Sequence, residues 1–252
     1  MTGRSFAIDA LPESVDGFIG SHAIVAIDVL RANTVIVTGL VGGRQVYPVD
    51  TVARAVAVSA GLDNPLLAGE QGGVMPRECE IDNSPATLAG LDDRRPLVLV
   101  TSAGTKLLAR AQGAAKVYVA CLRNLTATAS ELVASEDRVV LIGAGTRGEA
   151  RVEDQLACAR IGTLLLDAGF EPESERTWEE LIRWAHAPLE LIASGRSAEY
   201  LRASGHAVDV DFVLGHVDDV PLTATFSDAQ AALMEARAAA VAPPIQELAV
   251  GR

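Results

Sequence analysis

Acidic residues stand beside several of the short apolar runs of this chain. Asp28 lies near the end of the run from His22 to Leu30, Glu70 follows a later run, and Glu153 and Asp154 come after a glycine-rich turn. Carboxylate oxygens are the ligands that Mg²⁺ prefers in proteins, and the ion takes only one or two of them directly. These four carboxylates are therefore candidates for a magnesium site.

Groups that could bind a phosphate accompany these acids. Arg31 comes three residues after Asp28, where a guanidinium is well placed to bind an oxyanion. Polar and glycine residues in turns before helices can offer side-chain donors or free backbone N–H groups to an anion. The candidates are Asn83, Ser84, Ser102, Gly104, Thr105, Gly145 and Thr146. Taken singly, each could be a cap, a turn residue or a surface charge, and Arg31 could simply pair with Asp28.

The elements that would position these residues alternate along the chain. Short β-branched and apolar runs predict strands at His22–Leu30, Gln45–Val49, Leu66–Ala68, Leu97–Val100, Val117–Ala120 and Arg138–Ile142. Capping residues and helical apolar spacing predict helices at Thr51–Ala60 with Asp50 as its cap, after Ser84-Pro85, and at Thr105–Ala111, Leu125–Ala134 and Val152–Asp167. This alternation indicates an α/β fold with a largely parallel sheet covered on both faces.

Such a sheet brings the candidate residues together. Ligands of open α/β sheets bind beyond the carboxyl ends of the strands, where loops lead into helices. We therefore expect the acids, hydroxyls, glycines and Arg31 to converge on one sheet edge, as a site for magnesium and phosphate requires. The set is more specific than any of its members.

The last third of the chain has a different pattern. Amphipathic spacing predicts helices at Glu175–Ala187 and Ser197–Ala203, and a long alanine-rich helix at Ser227–Ala240. Val208–Leu214 alternates like a strand, so Asp209 and Asp211 are interpreted as its solvent-facing side. We predict one domain over residues 1–252, with a subdomain junction, if present, near residues 169–174.

Composition excludes several classes of function. The 252-residue chain has a net charge of −12, and an acidic surface repels phosphate backbones, which argues against a nucleic-acid partner. It has no apolar run of about 18 residues, so we expect no membrane partner. The start of the chain does not resemble a signal peptide. Its three cysteines fit a reducing compartment, and we expect a cytoplasmic protein.

A dinucleotide site is the main alternative for the glycine-rich turn. Gly143, Gly145 and Gly148 match the spacing Gly-x-Gly-x-x-Gly after a predicted strand. Glu153 and Asp154 would place negative charge in the first turns of the following helix, where a pyrophosphate would have to bind. The same acids suit a magnesium ion better.

Several motifs, in order, resemble those of the 2-phosphosulfolactate phosphatase family (ComB-like). They are Ala26-Ile-Asp-Val-Leu-Arg-Ala32, Gly69-Glu70, Asp82-Asn-Ser-Pro85, Ser102-Ala-Gly-Thr105, and Ala144-Gly-Thr146 with Glu153-Asp154. The resemblance runs from about residue 20 to about residue 222. It implies a three-layer α/β/α fold with a mostly parallel or mixed central sheet, dependence on Mg²⁺, and hydrolysis of an acidic phosphate monoester. In that family the substrate is 2-phosphosulfolactate and the products are sulfolactate and phosphate.

The chain departs from the family pattern around the expected substrate pocket. Glu78-Cys79-Glu80-Ile81-Asp82 stands where the family has Gly-Phe-Asp-Leu-Gly before its Asn-Ser-Pro block. Ser102-Ala103-Gly104-Thr105 replaces Thr-Asn-Gly-Thr, and Gly143 replaces a cysteine. The carboxylates proposed for the metal are retained, whereas the identity of the acid that carries the phosphate is left open.

We accordingly expect a magnesium-dependent phosphatase acting on a small anionic phosphorylated metabolite. Asp28, Glu70, Glu153 and Asp154 would hold the ion, with Asp28, Arg31 and Glu70 as catalytic residues. The phosphoryl group would be bound by Arg31, Asn83, Ser84, Ser102, Gly104, Thr105, Gly145 and Thr146. The alternative is a non-catalytic module that binds an anionic metabolite. The resemblance, with Trp178 and Trp184 in one short segment, favours a homodimer.

Overall fold

The computed structural model describes residues 3–102, 104–226 and 234–238. Its strands are β1 (Ser5–Asp9), β2 (Ala23–Ile27), β3 (Val46–Val49), β4 (Leu66–Gly69), β5 (Leu97–Val100), β6 (Val117–Ala120), β7 (Arg138–Gly143), β8 (Glu171–Pro172), β9 (Leu222–Phe226) and β10 (Met234–Ala238). Its α-helices are α1 (Ala32–Val41), α2 (Val52–Ser59), α3 (Pro85–Ala89), α4 (Gly104–Arg110), α5 (Leu125–Ser135), α6 (Val152–Asp167), α7 (Glu175–Trp184), α8 (Glu190–Ala193), α9 (Arg196–Ala203) and α10 (Ala207–Gly215). Two 3-10 helices span Pro12–Gly17 and Leu122–Asn124.

The strands form two sheets. A seven-stranded sheet has the order β10-β9-β6-β2-β7-β1-β8, and a three-stranded sheet has the order β3-β5-β4. The strands β1, β2, β6, β7 and β8 pair with one another in parallel. Strand β9 is antiparallel to both of its neighbours, β6 and β10. All pairs in the smaller sheet are parallel. The predicted α/β fold with a mostly parallel sheet is therefore confirmed, and the strands are divided between two sheets.

The central strand β2 shows why helices cover both faces. All five of its residues are buried, and successive residues contribute to different hydrophobic clusters. Ile24 and Ala26 belong to one cluster, together with residues of α1 and α4. Ala23, Val25 and Ile27 belong to another, together with residues of α5 and α6. Because side chains alternate across a strand, the sheet separates two apolar layers, as in the expected α/β/α arrangement.

Most of the predicted elements are present in the structure. The six predicted strands correspond to β2–β7, and the predicted helices at Thr51–Ala60, Thr105–Ala111, Leu125–Ala134, Val152–Asp167 and Ser197–Ala203 correspond to α2, α4, α5, α6 and α9. Ser84 caps α3 by accepting a hydrogen bond from the Thr87 N–H, as predicted. The cap of α2 is Thr51, one residue after the predicted Asp50.

The prediction of a strand over Val208–Leu214 is wrong. These residues lie in α10, where Asp209, Val210 and Val213 are buried and Val208 is 55% exposed. The buried positions recur at three- and four-residue intervals, which is the helical pattern. The sequence alternates between apolar and charged residues only because Asp209, a charged residue, lies on the buried side of the helix.

The predicted helix over Ser227–Ala240 is contradicted where the structure describes it. Met234–Ala238 form strand β10, which pairs with β9 from Met234 opposite Phe226 to Ala238 opposite Leu222. The alanine-rich composition favours a helix, and the hydrogen bonds offered by the neighbouring strand override that local preference. The remainder of this prediction falls outside the described residues.

Two elements at the amino-terminal end were not predicted. Strand β1 has only five residues, and its position is set by pairing with β7 and β8, at long sequence separation. Helix α1 has polar residues among its buried positions, including Asn33, Thr34 and Thr38. A pattern based on apolar periodicity therefore misses it.

No helix in the described ranges combines the length and the apolar character needed to cross a bilayer.

Gly69, which ends β4 immediately before Glu70, has no room for a side chain. Its φ is +144°, and a Cβ there would lie 1.9 Å from the carbonyl oxygen of Val100. We expect Gly69→Ala to lower the free energy of unfolding by about 2 kcal/mol or more, because the backbone at Val100 would have to move to make room for the methyl group. Gly72→Ala is the control. The φ of Gly72 is +65°, and a Cβ added there would have no atom within 4 Å, so the substitution should cost only the strain of a positive φ, about 1 kcal/mol. Equal losses in urea denaturation of the two variants would contradict this packing argument.

Candidate active site

Asp28 lies directly after β2, where the chain turns into α1. Its side chain is 5% exposed, and its Oδ1 accepts a hydrogen bond from the Ala32 N–H at 3.2 Å. Its backbone carbonyl accepts from the Asn33 N–H at 3.2 Å. The buried strand thus delivers a carboxylate to the carboxyl edge of the sheet, and the first turn of α1 fixes its orientation.

Asp154, in the first turn of α6, connects two neighbouring strand ends. Its Oδ1 accepts from the Val29 N–H at 2.9 Å, and its Oδ2 accepts from the Gly145 N–H at 3.1 Å. Val29 follows β2 and Gly145 follows β7, which are paired in parallel. One buried carboxylate therefore sets the spacing of the two loops. A Cβ on Gly145 would lie 2.7 Å from the Glu149 carbonyl oxygen, so this turn requires glycine.

Three buried carboxylates share this edge, and burial disfavours the ionisation of each of them. Burial raises the pKa of Asp28 to about 7, with further raising by the charges of Glu153 and Glu70. Burial, then the charges of Asp28 and Glu153, hold the pKa of Asp154 well above its usual range. Burial likewise raises the pKa of Glu153, although a hydrogen bond from Ser197 opposes the shift. Such a cluster favours a bound cation over three isolated negative charges.

Glu70 reaches the same edge from the smaller sheet and connects two loops. Its Oε1 accepts from the Ser102 N–H at 2.7 Å, and its Oε2 accepts from the Gly73 N–H at 2.6 Å. The Ser102 hydroxyl in turn accepts from the Gly72 N–H at 2.7 Å. Glu70 is close enough for its charge to act on Asp28, and its hydrogen bonds hold the loop after β5 beside the loop after β4.

The loop after β5 approaches Asp28 closely at Gly104. A Cβ at this position would lie 2.5 Å from Asp28 Oδ2 and 2.6 Å from the Ala32 Cβ. Thr105 follows, and its N–H donates to Thr101 Oγ1 at 3.2 Å while its hydroxyl donates to the Thr101 carbonyl. The close approach of backbone to Asp28 explains why glycine is needed where an anion could reach the acids.

Arg31 is buried and held by two carboxylates. After a cis peptide bond from Leu30, its Nη1 donates to Asp82 Oδ2 at 3.0 Å and to Asp209 Oδ2 at 2.8 Å. Asp209 also accepts from the Ser84 hydroxyl at 2.6 Å and from the Ala86 N–H at 3.3 Å. The alternative in which Arg31 pairs only with Asp28 does not describe this arrangement.

Asp209, Asp82 and His206 are the site residues that the sequence analysis did not identify. Asp209 is 1% exposed and faces Arg31, so its interpretation as a solvent-facing strand residue is wrong. His206 Nε2 lies 2.8 Å from Asp82 Oδ2. Asp82 lies 51 positions and Asp209 lies 178 positions after Arg31, and no local sequence pattern reports contacts over such separations. An aspartate on the apolar side of a correctly assigned α10 would have been the available signal.

The remaining predicted phosphate-binding residues lie in the same loops. Asn83 is 4% exposed, and its Oδ1 has no hydrogen-bond partner among the described residues. The Thr146 N–H donates to the Glu149 carbonyl at 2.9 Å, and the Thr146 carbonyl accepts from Arg151 Nη2 at 3.2 Å. These contacts define the turn between β7 and α6.

In the glycine-rich turn, the Gly145 N–H donates a hydrogen bond to a side chain of the protein itself. In a dinucleotide site the N–H groups of this turn face a pyrophosphate. Here the Gly145 N–H donates to Asp154, whose neighbour Glu153 is also buried at the start of α6. The Gly145 N–H is therefore not free for a pyrophosphate, and two acids stand at the start of the helix, which counts against the dinucleotide alternative.

A separate cleft of about 160 Å³ lies at the far end of α1, lined by residues such as Thr38, Gly42 and Arg44. None of the predicted site residues lines it. The candidate site is therefore identified by the chemistry at the sheet edge.

Comparison with known proteins identifies the family of this chain. The profile of the family described as 2-phosphosulpholactate phosphatase matches residues 10–224. The chain belongs to this phosphatase family. A protein of Symbiobacterium thermophilum named probable 2-phosphosulfolactate phosphatase is 32% identical over 86% of this chain and 96% of its own length. Proteins of the same name from Carboxydothermus hydrogenoformans and Deinococcus radiodurans are 31% and 33% identical, over 79% and 81% of this chain and 85% and 86% of their own lengths.

The family membership confirms the resemblance drawn from the motifs. The matched range includes all the predicted site residues, from Asp28 to Asp154, as well as Asp209. A hydrolase of the phosphatase type is thereby supported.

The buried acids predict how stability depends on pH in the metal-free protein. Burial raises the pKa of Asp28 from its ordinary value of 3.8 to about 7, so between these values the folded state holds a proton that the unfolded state has released. The free energy of unfolding should therefore fall as pH rises through this interval, by up to about 1.4 kcal/mol per pH unit. Urea denaturation in chelator at several pH values measures the slope.

Asp28→Asn should reduce that slope and raise the metal-free stability at neutral pH, since it removes a buried charge. Asp63→Asn, at an exposed position, is the matched control and should leave the slope unchanged. A slope that is the same in the wild type and Asp28→Asn would show that Asp28 is ionised throughout.

Proposed function

We propose that this protein is a magnesium-dependent phosphatase that hydrolyses a small acidic phosphate monoester. The observation that carries this proposal is the buried group of Asp28, Glu153 and Asp154 at the same sheet edge as the buried Arg31. The names of the relatives make 2-phosphosulfolactate the first substrate to test, with sulfolactate and phosphate as products.

The residues present fit a magnesium ion. Their donors are carboxylate oxygens, and the raised pKa of Asp28 and Asp154 reflects a need for nearby positive charge. No group of three or more His, Cys, Asp or Glu side chains in the described part of the chain is arranged to bind a metal together. Mg²⁺ needs only one or two protein carboxylates and keeps waters elsewhere. Asp28 and Asp154 would therefore hold it, with Glu153 and Glu70 adding negative charge nearby.

The chain's own residues supply the binding and orientation that phosphoryl transfer requires. Arg31 binds the phosphoryl oxygens with the donors that Asp82 and Asp209 leave free, and the turns at Ser102 and at Gly145–Thr146, with Thr105 in α4, lie at the same sheet edge. Glu70 keeps the first of these turns in place through Ser102. When bound, Mg²⁺ would supply positive charge that stabilises the charge developing on the phosphoryl group. Water cleaves the ester, and the alcohol and phosphate leave.

The site favours an acidic metabolite over a macromolecule. Glu153, Asp154 and Asp209 are at most 3% exposed, so the reacting groups lie below the surface. A protein with a net charge of −12 gains nothing from a polyanionic partner. A small phosphorylated acid can enter where a nucleic acid cannot, and we place this activity in the cytoplasm.

A homodimer remains part of the proposal. Helix α7 buries Leu181 and leaves Trp178 44% exposed and Ile182 64% exposed, a face that a second copy could cover. Sedimentation equilibrium at micromolar concentration should give twice the monomer mass. A monomer mass would contradict the homodimer and leave the enzymatic proposal unaffected.

The direct test is phosphate release from 2-phosphosulfolactate, and from p-nitrophenyl phosphate as a generic ester, with Mg²⁺ and with chelator. We expect turnover with Mg²⁺, its loss in chelator, and its return when Mg²⁺ is added back. Asp28→Asn should lower kcat on the order of 10²-fold or more at saturating Mg²⁺, because it removes charge from the site.

Asp63→Asn should turn over like the wild type, since its side chain is exposed and lies outside the site. Full activity in chelator, or in Asp28→Asn, would overturn the assignment of the metal to this sheet edge. Tight phosphate binding without turnover of any ester would favour the non-catalytic alternative.

A further inference from the structure

Asp209 is a buried carboxylate outside the group of acids assigned to the metal. It is 1% exposed, lies in the first turn of α10, and accepts hydrogen bonds from three groups. Its Oδ2 faces Arg31 Nη1, and its Oδ1 accepts from the Ser84 hydroxyl and the Ala86 N–H. Helix α10 is thereby tied to the start of α1 and to the start of α3.

The side-chain hydrogen bonds of Arg31 with described residues all pass through one nitrogen. Nη1 carries two protons, and it donates to Asp82 and to Asp209. A guanidinium has five N–H donors in a fixed plane. With Nη1 occupied, the donors on Nη2 and Nε keep a defined direction and are the ones left for an oxyanion. Two carboxylates on a single nitrogen thus orient the group without using its remaining donors.

The two carboxylates differ in what holds them. Asp82 has a side chain that is 17% exposed and shares its Oδ2 with His206, whose side chain is 32% exposed. Asp209 is enclosed and fixed from its other oxygen by Ser84 and by backbone. The rigid support for Arg31 therefore comes from Asp209, and Asp82 with His206 forms the solvent side of the same network.

We propose that Asp209 is the positioning residue of Arg31, and that it acts on phosphate binding and turnover only through that guanidinium. This inference rests on the proposed function, because it assumes that Arg31 binds the phosphoryl oxygens. It assigns a role to α10, an element far from the strand-end motifs in sequence. It also explains why a carboxylate is buried on the apolar side of that helix.

A double-mutant cycle tests the dependence. Asp209→Asn keeps an oxygen that can accept from Ser84 and Ala86 while removing the charge that faces Arg31, so the fold should be retained. We expect Asp209→Asn alone to lower kcat by about tenfold or more. In an Arg31→Ala background the same change should alter kcat by less than about twofold, because the group it positions is already gone.

Inorganic phosphate provides a second readout that needs no turnover. Calorimetric titration with phosphate should show that Asp209→Asn weakens binding in the wild type and fails to weaken it in Arg31→Ala. Asp211→Asn is the matched control, since Asp211 lies on the exposed side of the same helix, and it should leave both kcat and phosphate affinity unchanged.

Chemical rescue separates positioning from a merely structural role. Added guanidinium should restore part of the turnover of Arg31→Ala, because Asp82 and Asp209 still define its binding position, and should fail to do so in the Arg31→Ala, Asp209→Asn double variant. Additive losses in the cycle, or equal rescue in both backgrounds, would overturn the inference while the wild type remains active. If the wild type neither hydrolyses a phosphate ester nor binds inorganic phosphate, the proposed function is overturned, and this inference with it.

Discussion

The organisation of the site depends on the cost of burying several carboxylates beside one another. Asp28, Glu153 and Asp154 are each at most 5% exposed, and removing an ionised carboxylate from water is unfavourable unless it is hydrogen-bonded and near positive charge. Backbone N–H groups from Val29, Ala32 and Gly145 satisfy part of this requirement. The carboxylates still lack sufficient positive charge nearby, and a magnesium ion would supply that charge.

That constraint also explains the architecture around the acids. Asp154 can accept from Val29 and Gly145 only because β2 and β7 are parallel neighbours whose ends reach the same edge. The smaller sheet contributes Glu70 and the loop at Ser102, which are joined by their own hydrogen bonds. On the other side, Arg31 keeps its positive charge close to Asp28 while its contacts are directed to Asp82 and Asp209. Arg31 and the acids beside β2 are thus held by separate hydrogen-bond networks: Arg31 by Asp82 and Asp209, and the acids by backbone N–H groups.

The sequence predicts the part of this arrangement that follows strand ends. Asp28, Glu70, Gly104 and Asp154 stand next to recognisable strands or turns, and parallel strands bring such residues to one edge. Local spacing is sufficient to locate these residues because each stands at the end of a strand or at the start of a helix. It does not give the long-range hydrogen bonds that orient the side chains, such as those from Val29 to Asp154 and from Ser102 to Glu70. The family motifs point to the same residues.

The arginine network could not be predicted in this way. Asp209 is on α10, whose alternating residues resemble a strand until the helix is seen to bury an aspartate against Arg31. The strand β10 was mistaken for a helix for a related reason, since pairing with β9 overrides an alanine-rich composition. Division of the strands into two sheets depends on which edges pair, and short parallel strands of similar composition do not specify their neighbours. Contacts between distant segments decide each of these features, and local patterns do not contain them.

In the proposed function, the carboxylates at this edge bind a divalent cation in place of protons. Calorimetric titration of the protein with Mg²⁺, at about pH 6 in buffers of different ionisation enthalpy, measures the protons released on binding. Because the pKa of Asp28 is raised to about 7 in the absence of metal, binding should release protons at this pH and tighten as the pH increases. Magnesium binding without proton release, or with an affinity independent of pH, would contradict the claim.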